Sequence, residues 1–146
     1  MIEKPYIITR KLLNILVKKG KKGKALKILL LLLKNLKYKK INNYQSFGII
    51  CKALYNLKPL VQMQKIRKSR KIFYLPKIIS IEKKISLALR WIVKSANVRK
   101  ERKLENRLTK EFLDCFFNKG LSILKKRSLY KTLSMNRPFL HFLINK

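Results

Sequence analysis

Acidic residues are nearly missing from this chain. Six Asp and Glu stand against 38 Lys and Arg in 146 residues, a formal net charge of +32. Histidine occurs once, at His141, with no acidic residue near it in sequence to orient a ring for acid–base work. Cysteine occurs twice, at Cys51 and Cys115, each inside an apolar helical pattern. That usage fits buried thiols and leaves no CxxC or Cys/His cluster for zinc. Glycine and proline number four each, and no Gly-rich phosphate loop appears, since GKKGK at 20–24 lacks the Walker spacing. The longest uninterrupted apolar run, 28–33, sits between Lys27 and Lys34 and is far too short to cross a bilayer. The N-terminal MIEKPYIITRKLL lacks a signal-peptide apolar region, and its Glu3 and Pro5 do not suit a transit peptide. These absences predict a soluble protein with no catalytic centre, metal or cofactor.

What is present is a hydrophobic content of 47%, ordinary for a globular chain of one domain, 1–146, under an extraordinary positive charge. Self-repulsion on this scale opposes compaction, so a large anionic partner is expected to share in stabilising the fold. A polyphosphate chain offers many sites at once and releases counterions on binding, which makes nucleic acid the leading partner. An anionic membrane surface is the rival, but it needs a helix with a Lys-rich face opposite a broad apolar one, and 25–36 has too few cations on one side.

Apolar positions recur with a helical period along most of the chain. Leu12, Leu13, Leu16 and Val17 predict a short first helix, broken at GKKGK. ALKILLLLLKNL (25–36) is apolar nearly all round, which predicts a central, buried helix. KYKKINNYQS (37–46) reads as a loop. Phe47, Ile50, Leu54 and Leu57 make the stripe of a third helix, closed by Pro59. Val61, Met63 and Ile66, then a basic turn, then Ile72, Tyr74 and Leu75 before Pro76 predict a β-hairpin at about 61–79. Ser80 is placed to cap a fourth helix with the stripe Ile81, Ile85, Ala88, Ile92 and Ala96. A fifth carries Leu104, Leu108, Phe112 and Cys115 and ends near Gly120. ILKKR (123–127) reads as a basic connector, and a last helix from about Ser128 meets Pro138, which should kink or interrupt it. The predicted fold is mainly α, a six-helix bundle with a protruding β-hairpin between helices 3 and 4.

The acids are Glu3, Glu82, Glu101, Glu105, Glu111 and Asp114. Glu82 and Glu101 fall in predicted first turns, where they favour the helix dipole. Glu101, Glu105 and Asp114 can pair with Lys and Arg along their helix, and Glu111 with Asp114 at i, i+3 is read as structural pairing rather than a carboxylate site. The cations gather at four breaks between apolar elements: the 18–22 connector, the hairpin, the 99–103 junction and 123–127. At the hairpin, Lys65, Arg67, Lys68, Arg70 and Lys71 lie within seven residues and no carboxylate stands within ten. Its Phe73 and Tyr74 are candidates to stack on an unpaired base. Phosphate contacts give affinity and orientation without reading sequence, so shaped RNA is a better target than a DNA motif.

In order and spacing, several segments resemble the S-seven family of small-subunit ribosomal proteins, in its short organellar form. They are GKK (20–22), ALYNLKPLVQMQ (53–64), ALRWIVKSANVRK (88–100), NKGLSILKKR (118–127) and NRPFLHF (136–142), and the likeness runs from about Leu12 to Phe142. The resemblance implies the six-helix fold with its hairpin, and a job: binding the 3′ major domain of small-subunit rRNA and organising the head of the subunit. The hairpin would reach toward the exit-site tRNA and mRNA path, beside the small-subunit protein numbered eleven. No membrane contact and no homo-oligomer is implied. Carried over onto this sequence, the rRNA-binding residues would be Lys18, Lys19, Lys21, Lys22, Lys65, Arg67, Lys68, Arg70, Lys71, Arg90, Arg99, Lys100, Arg102, Lys125, Lys126, Arg127 and Arg137, with Trp91 a packing anchor. Three departures from the family stand out: the basic N-terminal arm is nearly absent, Ser69 and Arg70 replace hairpin-tip glycines, and Pro138 stands where a helix former is usual.

The abundance of Lys, Ile and Asn follows AT-rich codons, and with no transit peptide in sight it suggests synthesis inside an organelle: a mitochondrion first, a plastid second. A histone-like nucleic-acid compactor is the alternative that would explain the charge but not the ordered signatures. The +32 charge predicts a chain that is marginally stable alone at low ionic strength. Calorimetry in RNA-free, low-salt buffer should give a low melting point, and a cooperative transition well above ~60 °C would contradict this.

Overall fold

The computed structural model describes residues 5–39, 45–68 and 70–140. Six α-helices and one antiparallel hairpin follow in the order α1 (Pro5–Leu16), α2 (Lys22–Tyr38), α3 (Ser46–Leu57), β1 (Val61–Lys68), β2 (Lys71–Ile78), α4 (Ile81–Val98), α5 (Leu104–Phe116) and α6 (Leu121–Met135), with a 3-10 turn at Arg137–Leu140. The hairpin stands between α3 and α4, as the sequence predicts. The core is built on α5, which touches α2, α3, α4 and α6. Leu108, Phe112 and Cys115 of α5 pack there with Ala88, Leu89, Ile92 and Ala96 of α4 and with Ile50, Ala53 and Leu57 of α3.

Several boundaries differ from the sequence expectation, each for a local reason. The first helix is longer than its apolar stripe, because Pro5 is tolerated in a first turn where an N–H has no helical partner, and Ile8, Leu12 and Leu16 form its buried face. The second helix is not buried all round. It buries Ala25, Leu29, Leu32 and Leu36, while Leu26 and Leu30 are 41% and 65% exposed. A leucine run has no polar positions to mark which side faces out, and α2 packs from the outside of the bundle. It also runs on through Tyr38, into what reads as loop; 40–44 of that stretch lie outside the described residues. The strand β2 passes through Pro76, which pairs with Met63. In a ribbon of two strands, alternate N–H groups point away from the partner, so a proline there breaks no ladder bond. Ser80 has the extended conformation of an N-cap but makes no side-chain cap hydrogen bond, and Ile81 is exposed rather than part of the α4 stripe.

The largest difference is α6. Lys125, Lys126 and Arg127 are not a connector: they lie within a helix that begins at Leu121. Lys and Arg are good helix formers, so a run of cations does not break a helix. The break comes earlier, at Gly120, whose φ of +89 suits only glycine, and where an added Cβ would stand 2.9 Å from the Cβ of Asp114. Pro138 does interrupt the last helix, which ends at Met135 before the 3-10 turn. His141 and Ser69 lie outside the described residues.

These burials separate two kinds of leucine-to-core claim. Replacing fully buried Phe112 with Ala should cost about 3–5 kcal/mol, whereas Leu30→Ala on the open side of α2 should stay within about 0.5 kcal/mol; urea unfolding of the two variants against wild type checks both.

Candidate nucleic-acid interface

The two strands of the hairpin pair in register from Val61↔Ile78 to Lys68↔Lys71. Side chains therefore sort onto two faces. One carries Gln64, Leu75, Ile66 and Phe73. It is turned to the body: Leu75 has no exposed surface, and the Phe73 ring meets that of Phe139 at 4.9 Å between centroids. The other face carries the cross-strand pairs Val61–Ile78, Met63–Pro76, Lys65–Tyr74 and Arg67–Ile72. Here Ile72, Tyr74 and Ile78 are exposed, and the Lys65 ammonium lies 5.7 Å from the Tyr74 ring centroid. Val61 and Met63 share this outer face, whereas Ile66 falls on the inner one. Of the two stacking candidates, Phe73 is occupied by Phe139 and Tyr74 is open.

Among the described residues, no ion pair involves a hairpin cation. Arg67, Arg70 and Lys71 are exposed at the tip; the side chain of Lys68 lies outside the described residues. Behind the hairpin base, Gln62, Gln64, Lys77, Ser80 and Lys83 line a polar cavity of roughly 340 Å³.

A second basic surface forms at the α1–α2 connection. Lys18, Lys19, Lys21 and Lys22 are all exposed. The turn that presents them holds Lys19 at φ 52 and Gly20 at φ 70, and the Lys21 N–H donates to the Lys18 carbonyl at 3.1 Å. A lysine in the left-handed region costs on the order of 1–2 kcal/mol relative to an ordinary conformation. Lys18, Lys21 and Lys24 rim a cleft of roughly 170 Å³ that is also lined by Asn97 and Leu104. Those two bracket the 99–103 junction, so the connector and the junction, far apart in sequence, stand together. Lys100 and Arg102 are exposed there, as is Arg90 on α4.

Three of the sequence candidates have other partners. Arg99 donates through Nε to Glu111 Oε2 at 2.7 Å and also pairs with Asp114. Burial alone would lower its pKa, yet the hydrogen bonds to the two carboxylates hold it above its ordinary value. Lys125 donates to Ser95 Oγ at 2.9 Å, and Lys126 to the Asn56 carbonyl at 2.6 Å; burial depresses the Lys126 pKa. Arg127 and Arg137 remain exposed. Glu111 and Asp114 thus form a structural pair on Arg99, as the sequence suggests, although the cation comes from outside their helix. Glu101 precedes α5 instead of sitting in its first turn, and takes Lys110 at 3.1 Å. Trp91 is half-buried and packs on the core.

The sequence reading passed over Lys24 and the exposed Tyr55, whose ring lies 5.0 Å from the Lys58 ammonium and 5.7 Å from that of Lys52. The signal was there in the i, i+3, i+6 spacing of Lys52, Tyr55 and Lys58, which puts all three near one face of α3. Neither cysteine is in a disulfide. Burial and the nearby Glu111 push the Cys115 thiol up to about 12, so it stays protonated and unreactive. Cys51 is only half-buried. Among the described residues, no cluster of His, Cys, Asp and Glu fits a metal, and no helix is long and apolar enough to cross a membrane.

Comparison with known proteins gives a match to the family described as Ribosomal protein S7p/S5e over residues 3–137. Similar curated proteins include small ribosomal subunit protein uS7 of Geotalea daltonii, 33% identical over 135 residues, which are 92% of this chain and 85% of that one. The uS7 of Geotalea uraniireducens is 34% identical with the same shares, and that of Thermodesulfovibrio yellowstonii is 30% identical with the same shares.

The ion pair beneath this surface carries a prediction of its own. Glu111 has no exposed surface, so removing Arg99 strands its charge, whereas Arg99 keeps Asp114 when Glu111 is neutralised. Arg99→Met should destabilise the fold by about 3–5 kcal/mol in urea unfolding, and Glu111→Gln by about 1–3 kcal/mol because Asp114 still pairs with Arg99; a loss under ~1 kcal/mol for Arg99→Met would mean that the pair is as weak as a surface bridge.

Proposed function

The chain belongs to the Ribosomal protein S7p/S5e family, a structural, non-enzymatic constituent of the small ribosomal subunit that serves translation, and from that premise we propose how it engages rRNA. It acts as a single rRNA-binding unit on the 3′ major domain and helps to organise the head of the subunit. Its hairpin extends toward the exit-site tRNA and mRNA path, beside the protein numbered eleven. The observation that carries this reading is the hairpin's outer face, where cations that form no ion pair sit beside an exposed aromatic and aliphatic groups. Cations meet phosphates, and Tyr74 offers a face to an unstacked base.

Two surfaces share the work. One is the hairpin with Lys65, Arg67, Lys68, Arg70 and Lys71, joined by Arg137 from the C-terminal turn. The other combines Lys18, Lys19, Lys21, Lys22 and Lys24 with Lys100 and Arg102 around the cleft, flanked by Arg90. A lysine held at positive φ in the connector supports a functional demand for charge there. Arg127 adds an exposed cation on α6, whereas Arg99, Lys125 and Lys126 serve the fold first.

The similar curated proteins named above are bacterial. A mitochondrial ribosome, with a plastid ribosome second, is favoured by the Lys-, Ile- and Asn-rich composition alone. A sucrose gradient of organelle lysate, washed in high salt and probed for this chain, tests it: co-migration with the organellar small subunit supports the assignment, and recovery with DNA, membranes or unbound protein counts against it.

The contact surfaces are tested by binding to a transcript of the small-subunit rRNA 3′ major domain across a salt series. Replacing Lys65, Arg67 and Lys71 together with Ala should weaken binding at low salt and flatten the slope of log affinity against log salt by about 2 units. Lys11→Met, whose ammonium lies 3.6 Å from the Glu82 carboxylate, should leave both unchanged. An unaltered slope in the triple variant would remove the hairpin from the interface.

A further inference from the structure

We propose that Phe139 is a positioning residue for the hairpin: through its ring contact with Phe73, the C-terminal 3-10 turn fixes the direction in which the tip cations are presented to RNA. The functional consequence rests on the reading that the hairpin contacts rRNA; the geometry does not. Each strand has eight residues, so the arm is about 27 Å long. A lone two-stranded ribbon is marginally stable in water, and an arm of this length held only at its root would swing.

The root is held by α6. The Leu60 N–H donates to the Tyr130 hydroxyl at 3.0 Å, and Lys126 binds the Asn56 carbonyl at 2.6 Å. Both contacts fix where the chain enters the hairpin and leave its angle free. The second pin lies far out along the arm. Phe73 is five residues from the end of β2 at Ile78, roughly 17 Å, and only two from Lys71 at the tip. Its ring meets Phe139 at 4.9 Å with a 48° tilt, a centroid distance within the range of attractive aromatic pairs. With Leu75 buried nearer the root, the inner face is supported along most of its length.

The turn that supplies Phe139 is itself constrained. The Asn136 side chain donates to the Thr132 carbonyl at 3.0 Å, and the Phe139 N–H donates to the Asn136 carbonyl at 3.1 Å. Pro138 cannot extend α6 and has a fixed φ, so the chain leaves the helix axis there and carries Phe139 onto the hairpin. This contact stands apart from the bundle interior. Leu75, Leu129 and Leu133 are buried, yet they do not belong to the continuous core that joins α1 to α5. The hairpin therefore stands outside that core and can loosen without opening the bundle.

The full chain is tested with the same rRNA 3′ major-domain transcript, using Phe139→Ala, Phe73→Ala, the double variant, Phe139→Tyr and the triple hairpin Ala variant. Amide hydrogen exchange is followed across β1, β2 and the helices. The expected result is about tenfold weaker binding for each single Ala variant and no further loss in the double. Phe139→Tyr should restore affinity, and exchange should quicken in the hairpin with helical protection unchanged. Full affinity in Phe139→Ala, alongside loss in the triple variant, overturns the positioning role and leaves the RNA reading intact. Additive losses in the double variant, or exchange that quickens throughout the bundle, also overturn it. Full affinity in the triple variant overturns the RNA reading and this inference with it.

Discussion

The buried carboxylate of Glu111 is the contact on which the hairpin's setting finally depends. Its Oε2 accepts from Arg99 at the end of α4, and its Oε1 accepts from the Ser122 N–H at 3.1 Å and from the Ser122 hydroxyl at 2.6 Å, at the start of α6. The N-cap of α6 is Gly120, which brings no side-chain oxygen of its own. Glu111 supplies that oxygen from a neighbouring helix, and its charge suits the positive end of the α6 dipole. Glycine is needed beside it, because a Cβ would press on Asp114. One carboxylate therefore joins three helices at one corner. With the corner set, α6 is aimed so that Lys126 and Tyr130 meet the α3–β1 connection, and the 3-10 turn beyond it meets Phe73.

That dependence explains the use made of scarce acid. Between Glu3 and Glu82 the sequence has no carboxylate, and among the described residues the cations of the hairpin, α2 and α3 form no ion pair. The acids fall instead between 82 and 114, where most of them pair within the bundle. A chain with net charge +32 could lower its self-repulsion by scattering Asp and Glu over its surface. Concentrating them at the α4–α5–α6 corner uses them where a buried ion pair fixes geometry, and leaves the charge of the hairpin and the connector uncompensated. The same division accounts for α5. It has one of the more polar sequences among the helices and yet the most central position, because Thr109 and Glu111 are buried with satisfied hydrogen bonds beside Leu108 and Phe112.

Element order was legible in the sequence because most faces alternate cleanly between apolar and charged positions. The stripes of α3, α4 and α5, and the hairpin between α3 and α4, follow from periodicity. Where that alternation fails, the reading fails. The leucine run of α2 has no polar positions to mark its outer side, so Leu26 and Leu30 were expected to be buried. Lys125 to Arg127 looked like a break because charge clusters often fall in loops, although nothing in lysine or arginine opposes a helix. The site was legible as composition more than as geometry. Counting cations found the hairpin tip and the connector. It could not tell Arg127, which is exposed, from Lys126, which reaches the Asn56 carbonyl, since that distinction depends on which side of α6 faces α3. Nor could it bring residues 18–24 beside the 99–103 junction, which requires the packing of α1 against α4 and of α2 against α5.

The two basic surfaces differ in how they are held, and the difference bears on their use. The connector is a tight turn closed by its own backbone, with Lys19 and Gly20 at positive φ, and it rests on the bundle core. Its cations have a fixed setting before any partner arrives, so little backbone ordering remains for binding to impose. The hairpin is long, stands outside that core, and has a tip where charge repels charge with no carboxylate at hand. Repulsion among Arg67, Arg70 and Lys71 works against the ribbon in the free protein, and phosphates would remove it in the proposed complex. Binding should therefore stiffen the hairpin more than the connector. On the rRNA-binding role proposed above, that contrast implies an order: the pre-formed connector would give the first orientation, and the hairpin would complete its contacts as its charge is neutralised.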